Sequence, residues 1–294
     1  VSSYCQYFFL IIRLQIRYHI AGLLYICNMK KHLILGTLIA LAIIPSSCVN
    51  RTDTNGQAHL TFSRDSVATS SRSGRLSIAY DLPVKHDSQL YGAVAEFFSE
   101  SMGGGYEGDI TESDSLAAFY QRKNFDSMSS FFEEYLSSSG IDAESMCFDE
   151  ISFDKIAEGD RYLTYLFTQT SYMGGAHGST IYKGATFRKS DGRRIGWDVV
   201  APDPYAESLQ KSIDRGLREY WNLSSSDNLK EYLFDENAWT LPLPKCDPLF
   251  GPDGITFIYN EYEIAAYASR RPTFTVPYSE LEGQMMVTAK RLTE

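Results

Sequence analysis

The stretch Arg161–Val199, RYLTYLFTQTSYMGGAHGSTIYKGATFRKSDGRRIGWDV, decides the fold. From Arg161 to Thr170 aromatic and β-branched residues alternate, the period of a strand whose two faces differ. Thr180–Arg188 repeats the pattern, and Ser190-Asp191-Gly192 supplies a turn before Arg193–Val199. Upstream, Phe148–Ile156 reaches Arg161–Thr170 through Glu158-Gly159-Asp160. Two adjacent hairpins therefore predict a block of neighbouring antiparallel strands.

Working outward, His59–Phe62 and Arg75–Tyr80 alternate in the same way and are joined by the Ser-rich stretch Thr69–Gly74. The period then changes. From Asp87, the residues Leu90, Val94, Phe97 and Phe98 keep one helical face, which should end before Gly103-Gly104-Gly105. A second helix is expected over Ser115–Leu136, with Leu116, Phe119, Tyr120, Phe131, Phe132 and Tyr135 inward and Ser137–Gly140 ending it. Pro204–Asn222 carries Leu209, Ile213, Leu217 and Tyr220 on one face, and Asp227–Phe234 predicts a short helix. Ile255–Tyr259 and Thr273–Val276 read as strands, and Tyr278–Met285 as a closing helix. Strands interleaved with a few helices define an α+β chain with antiparallel sheets, without regular βαβ alternation. Residues 58–179 read as an N-terminal α+β subdomain and 180–294 as a C-terminal one, the two forming one compact unit.

The head is of another kind. Met29-Lys30-Lys31, the apolar run Leu33–Ile44 and Pro45-Ser46-Ser47-Cys48 follow the order of a bacterial lipoprotein signal, so residues 29–47 are expected to be cleaved and Cys48 to carry lipid. The apolar run would span only ~18 Å as a helix at ~1.5 Å per residue, against a hydrocarbon core of ~30 Å. Residues 1–28 lie upstream of this signal and are read as a start assigned too early. Residues 48–57 form a polar tether. The expected location is the cell envelope, with the lipid in the inner or outer membrane and the body in the periplasm or at the cell surface.

The formal charge is −10 over 294 residues, but its distribution is uneven. Four of the 27 lysines and arginines and none of the 37 carboxylates precede residue 48, which leaves 23 cations against 37 anions, or −14, in the body. Such a body repels phosphate backbones and attracts cationic proteins, so nucleic acid is not an expected partner. With 44% hydrophobic and 22% charged residues the chain has a core and is neither disordered nor collagen-like. Of its five cysteines only Cys147 and Cys246 lie in the body beyond Cys48, and they could pair or stay as buried thiols.

Gly103, Gly105 and Gly108 match G-x-G-x-x-G, but a helix precedes them where a dinucleotide site needs a strand, so they read as a loop. The sequence has no P-loop, H-E-x-x-H or G-x-S-x-G motif. Only His59, His86 and His177 lie in the body, too isolated for a histidine metal centre, and no metal or cofactor is expected. His177 sits among three glycines in Tyr172-Met173-Gly174-Gly175-Ala176-His177-Gly178. It could hold the loop through backbone hydrogen bonds, serve with Tyr172 as a recognition contact, or act as a catalytic base, for which no partner is fixed by sequence.

Thr168–Gly178 (TQTSYMGGAHG), Trp197-Asp198, the helix after Pro204 and Asp253–Leu281 (DGITFIYNEYEIAAYASRRPTFTVPYSEL) resemble the DUF3298 family of Bacteroidetes lipoproteins. That domain is similar to the extracellular part of a lysozyme-sensing anti-sigma factor and to the noncatalytic N-terminal part of a peptidoglycan N-acetylmuramic acid deacetylase. The resemblance spans about Leu60–Met285. After Tyr262-Glu263-Ile264 the family reads A-P-Y-A-x-G, whereas this chain has Ala266 for the proline and Arg270 for the glycine, which implies a looser or reshaped loop. The membrane and cytoplasmic parts of an anti-sigma factor and the deacetylase motifs are absent from the sequence. The resemblance thus implies a lipid-anchored binding protein without catalysis, with lysozyme or another cationic wall-active protein as partner. The expected contacts are Tyr172, Met173, Gly174, Gly175, His177 and Tyr262. A peptidoglycan-binding module is the second expectation and a hydrolase using His177 the third.

Overall fold

A computed structural model describes residues 60–71, 74–84, 88–139, 147–235 and 239–294, all within one compact unit. The expected signal peptide, Cys48 and tether, with His59 and His86, lie outside the described residues. The protein is a mixed α+β molecule with one six-stranded and one three-stranded sheet. Among the described residues no helix is long and apolar enough to cross a membrane.

The first sheet runs in chain order β1 (Phe62–Ser71), β2 (Gly74–Pro83), β3 (Cys147–Glu158), β4 (Tyr162–Tyr172), β5 (Ser179–Arg188) and β6 (Arg194–Ile195). Every pairing is antiparallel except β2 with β3, which is parallel. A parallel pair needs a crossover, and α1 (Ser88–Ser101) with α2 (Ser113–Ser139) provides it. Both helices pack on one face of the sheet. Leu90, Val94, Phe97 and Phe98 of α1 and Leu116, Tyr120 and Phe132 of α2 are buried there, against Leu76, Ile78, Tyr80, Ile151, Phe153, Leu163, Tyr165, Phe167 and Phe187. On the β1–β3 part the opposite face is polar, with Arg64 bridging Asp81 and Asp154 at 2.9 Å each.

At β4–β5 that opposite face is covered by the second sheet, β7 (Leu249–Phe250), β8 (Gly254–Ile258) and β9 (Thr273–Pro277). Two buried threonines join the sheets. Thr164 Oγ1 donates to Phe250 O at 2.8 Å, while Thr186 Oγ1 donates to Pro248 O at 2.9 Å and accepts from Phe250 N at 3.1 Å. Beyond β6 come the short α3 (Trp197–Val200) and then α4 (Glu207–Trp221), which lays Leu209, Ile213 and Leu217 into a second core with Phe257, Ile255 and Val276. Two single turns, α5 (Tyr278–Leu281) and α6 (Val287–Lys290), close the chain.

Some expectations are corrected. Thr69–Ser71 belongs to β1 rather than to a loop, because the serine backbone keeps its ladder with Gly74–Leu76. Arg193–Val199 is not one strand: only Arg194 and Ile195 pair with β5, and the chain then turns into α3 so that Val199 and Val200 reach the second core. The stretch Asp227–Phe234 contains a 3₁₀ turn, Leu229–Tyr232, and Tyr278–Met285 holds one helical turn rather than two. The long helix passes Ser137 and continues to Ser139. Cys147 and Cys246 are buried free thiols in different clusters.

Candidate functional site

A strand edge carries unpaired backbone groups that must be met somehow. Along β5 the outward edge is met mostly by side chains. Thr186 and Phe187 pair with β6, and the Gly184 N–H reaches the Cys246 sulfur, whose thiol burial pushes up to about 12. At Tyr182 the carboxamide of Asn260 stands in for a strand: Oδ1 accepts from Tyr182 N at 2.7 Å and Nδ2 donates to Tyr182 O at 3.0 Å. Thr180 N then donates to Glu261 Oε2 at 3.3 Å, and Glu261 is also paired with Arg271 at 2.5 Å.

These contacts give each residue of Tyr259–Ala265 a task. Tyr259 is buried and its hydroxyl donates to Pro242 O at 2.7 Å. Glu263 accepts from Asn260 N at 2.8 Å and from Lys245 N at 2.6 Å. Ile264 and Ala265 are buried in the second core. Tyr262 alone points outward, 55% exposed, with φ at +60°. A tyrosine gains nothing from the left-handed region itself, so its neighbours hold it there.

The loop between β4 and β5 faces this segment. Gly174 and Gly175 have φ of 89° and 97°, which only glycine adopts freely, and they turn the chain so that His177 is exposed. The His177 ring stacks on Tyr267 with centroids 3.8 Å apart and planes 18° from parallel. Tyr267 in turn stacks on Tyr262 at 5.8 Å. The Tyr262 hydroxyl lies 3.4 Å from His177 Nε2, and Tyr267 Oη donates to Gly178 O at 3.4 Å. His177 Nδ1 is 2.9 Å from Gly178 O, a carbonyl that can only accept, so Nδ1 carries the proton and Nε2 of the neutral ring is left to accept from Tyr262. The ring is thus oriented by a backbone carbonyl rather than by a carboxylate.

Of the expected contacts, His177 and Tyr262 meet although 85 residues separate them. Gly174 and Gly175 shape the loop. Tyr172 is tied to that loop, its hydroxyl donating to Gly175 O at 3.1 Å. Met173 packs against the first core and lines a cleft there. Tyr267, the ring between the other two, was not among the expected contacts; its only sequence signal is its place five residues after Tyr262 in the same motif. Among the described residues no group of three or more His, Cys, Asp or Glu gathers as a metal site would need.

A two-sheet α+β fold with a tyrosine and histidine ring surface beside the β5 edge defines the class. Residues 198–279, from α3 into α5, match DUF3298, described as a protein of unknown function, so the chain carries a DUF3298 domain. A solved DUF3298-family structure from Bacteroides fragilis is similar over 79% of this chain and 96% of that one, with a TM-score of 0.62 and 21% identity. Another, from Pseudomonas aeruginosa PAO1, covers the same shares with a TM-score of 0.54 and 13% identity. No curated protein sequence matches the chain. His177 lies outside the matched residues and Tyr262 and Tyr267 inside them, so the ring surface is assembled across the domain's edge.

Proposed function

We propose that this chain is a lipid-anchored envelope protein that binds a cationic protein partner through the His177, Tyr267 and Tyr262 rings and carries out no chemistry of its own. The observation that supports this reading is the ring stack. Three rings are held in contact, two of them on exposed residues, by loops whose backbones are fixed through Asn260, Glu261 and Glu263. Rigid tyrosines supply contact area at small entropic cost, which is why they recur at binding hot spots. The charge of −14 on residues 48–294 would draw a cation to the molecule. Lysozyme, or a wall-active protein like it, is the partner that the family resemblance favours. Anchoring rests on the Met29–Cys48 signal.

Titrating the full chain in detergent with lysozyme at low and moderate salt tests this. Binding that weakens as salt rises is expected, and no binding at either salt would overturn it. The second reading, a glycan-binding module, is favoured by the exposed ring faces, on which a sugar could stack. Retention on insoluble peptidoglycan in the absence of lysozyme binding would select it.

A further inference from the structure

At one end the first core opens into a cleft of ≈ 470 Å³ between the end of α1, the middle of α2 and the helix-facing side of β3–β5. Met102, Met128 and Met173 form apolar walls. The sheet side is polar. The strand register puts Asp149, Gln169 and Lys183 on the same face as Ile151, Phe153 and Phe167. Asp149 is 5% exposed, and Gln169 Nε2 donates to its two oxygens at 3.0 and 2.9 Å. No cation pairs with it among the described residues. A buried carboxylate is normally paired, and burial here raises the Asp149 pKa.

The opposite charge is present but out of reach. Lys183 lies two strands and four residues from Asp149 on the register, about 16 Å between Cα atoms at ~4.8 Å per strand and ~3.3 Å per residue. Lys183 is exposed as a residue, and its ammonium donates to Ser101 O at 2.6 Å, which leaves two N–H groups for other acceptors. Desolvation lowers its pKa. Ser101 also lines the cleft; it is 5% exposed and its hydroxyl has no hydrogen-bond partner among the described residues. Buried hydroxyls are nearly always satisfied, so this one calls for a partner.

The geometry points to a binding site for a small zwitterion of the amino-acid type. Its ammonium would meet Asp149, its carboxylate would meet Lys183 and, once the enclosed Ser101 side chain turns toward the cleft, the Ser101 hydroxyl, and an apolar side chain would lie against the three methionines, whose flexible thioethers adapt to different shapes. This site lies on the helix-facing side of the first sheet and does not depend on the ring surface.

Calorimetric titration of the full chain in detergent with L-leucine, L-methionine and L-phenylalanine tests the site. Leucinamide, which lacks the carboxylate, and 4-methylpentanoate, which lacks the ammonium, serve as comparisons. At least one amino acid is expected to bind with Kd below about 1 mM, and the matching leucine fragments about tenfold or more weakly. Lys183→Met should weaken the amino acid but not leucinamide, and Asp149→Asn the amino acid but not 4-methylpentanoate, with thermal melts showing both variants folded. Absence of binding by all three amino acids, equal binding of the fragments, or an affinity unmoved by both substitutions would overturn the assignment. The comparison of fragments on the unaltered chain does so without any variant.

Discussion

Arg270 stands at φ 60° and ψ −149°, a region that belongs almost wholly to glycine and costs other residues about 1–3 kcal/mol. The family resemblance implies glycine there, and the expectation of a looser or reshaped loop follows from its replacement. In this chain the segment closes as a turn, with Ser269 N donating to Ala266 O and Arg270 N to Tyr267 O, both at 2.9 Å. The departure places strain in one residue of this loop. Arg270→Gly should raise stability by about 1 kcal/mol once the greater freedom of glycine in the unfolded chain is subtracted, read from the denaturant midpoint. Ala266, at φ −64° and ψ 157°, already has the shape of a proline, and Ala266→Pro should add about 0.4–1 kcal/mol. A midpoint unchanged in both variants would contradict this account of the turn.

Asp149 gives a prediction with a pH sign. Burial raises its pKa, opposed in part by the Gln169 hydrogen bonds, so the unfolded chain ionises it at a lower pH than the folded one does. Stability is then lost as pH rises from the ordinary carboxylate value of about 3.9 through the folded value. Asp149→Asn should raise the melting temperature at pH 7 and leave it nearly unchanged below pH ~3.9. A substitution that lowers the melting temperature at pH 7 would show that the carboxylate is better paired than its surroundings indicate. The alternation puts Asp149 on the face of Ile151 and Phe153, but a carboxylate near the start of a strand is ordinarily solvated, so its burial depends on the helices that cover that end and has no local signal.

At the scale of elements, Asn260 does the work of a strand for one residue of β5. Asn260→Ala would leave the Tyr182 N–H and C=O without their partner, at a cost of about 1–3 kcal/mol, and amide exchange at Tyr182 should quicken. Unchanged exchange there would mean that the β5 edge is protected by something else. The long elements were legible because their periods are long: the face of Leu90, Val94, Phe97 and Phe98 and the alternation of Tyr162–Thr170 are local patterns. The parallel pairing of β2 with β3 was not, since it joins strands separated by two helices and has no local signal. β6 and β7, two residues each, are too short to show a period. Two of the three rings could be read in the same way. His177 and Tyr262 stood out among glycines and within a motif, whereas their contact and the place of Tyr267 depend on how β5 meets the loop after β8.

Across the whole molecule, the two sheets meet at β4–β5 and the ring surface forms beside that junction, from the loop after β4 and the segment after β8. In the proposed complex the field of the acidic body would act at long range and the rings at contact. The two contributions separate experimentally: salt should change the association rate through the field, and ring substitutions should change dissociation. The most direct test is the affinity for lysozyme at moderate salt of the unaltered chain and of the Tyr262→Ala, Tyr267→Ala double variant. The ring surface as binding site predicts a loss of about tenfold or more with the melting temperature little changed; equal affinities in the two chains would contradict it.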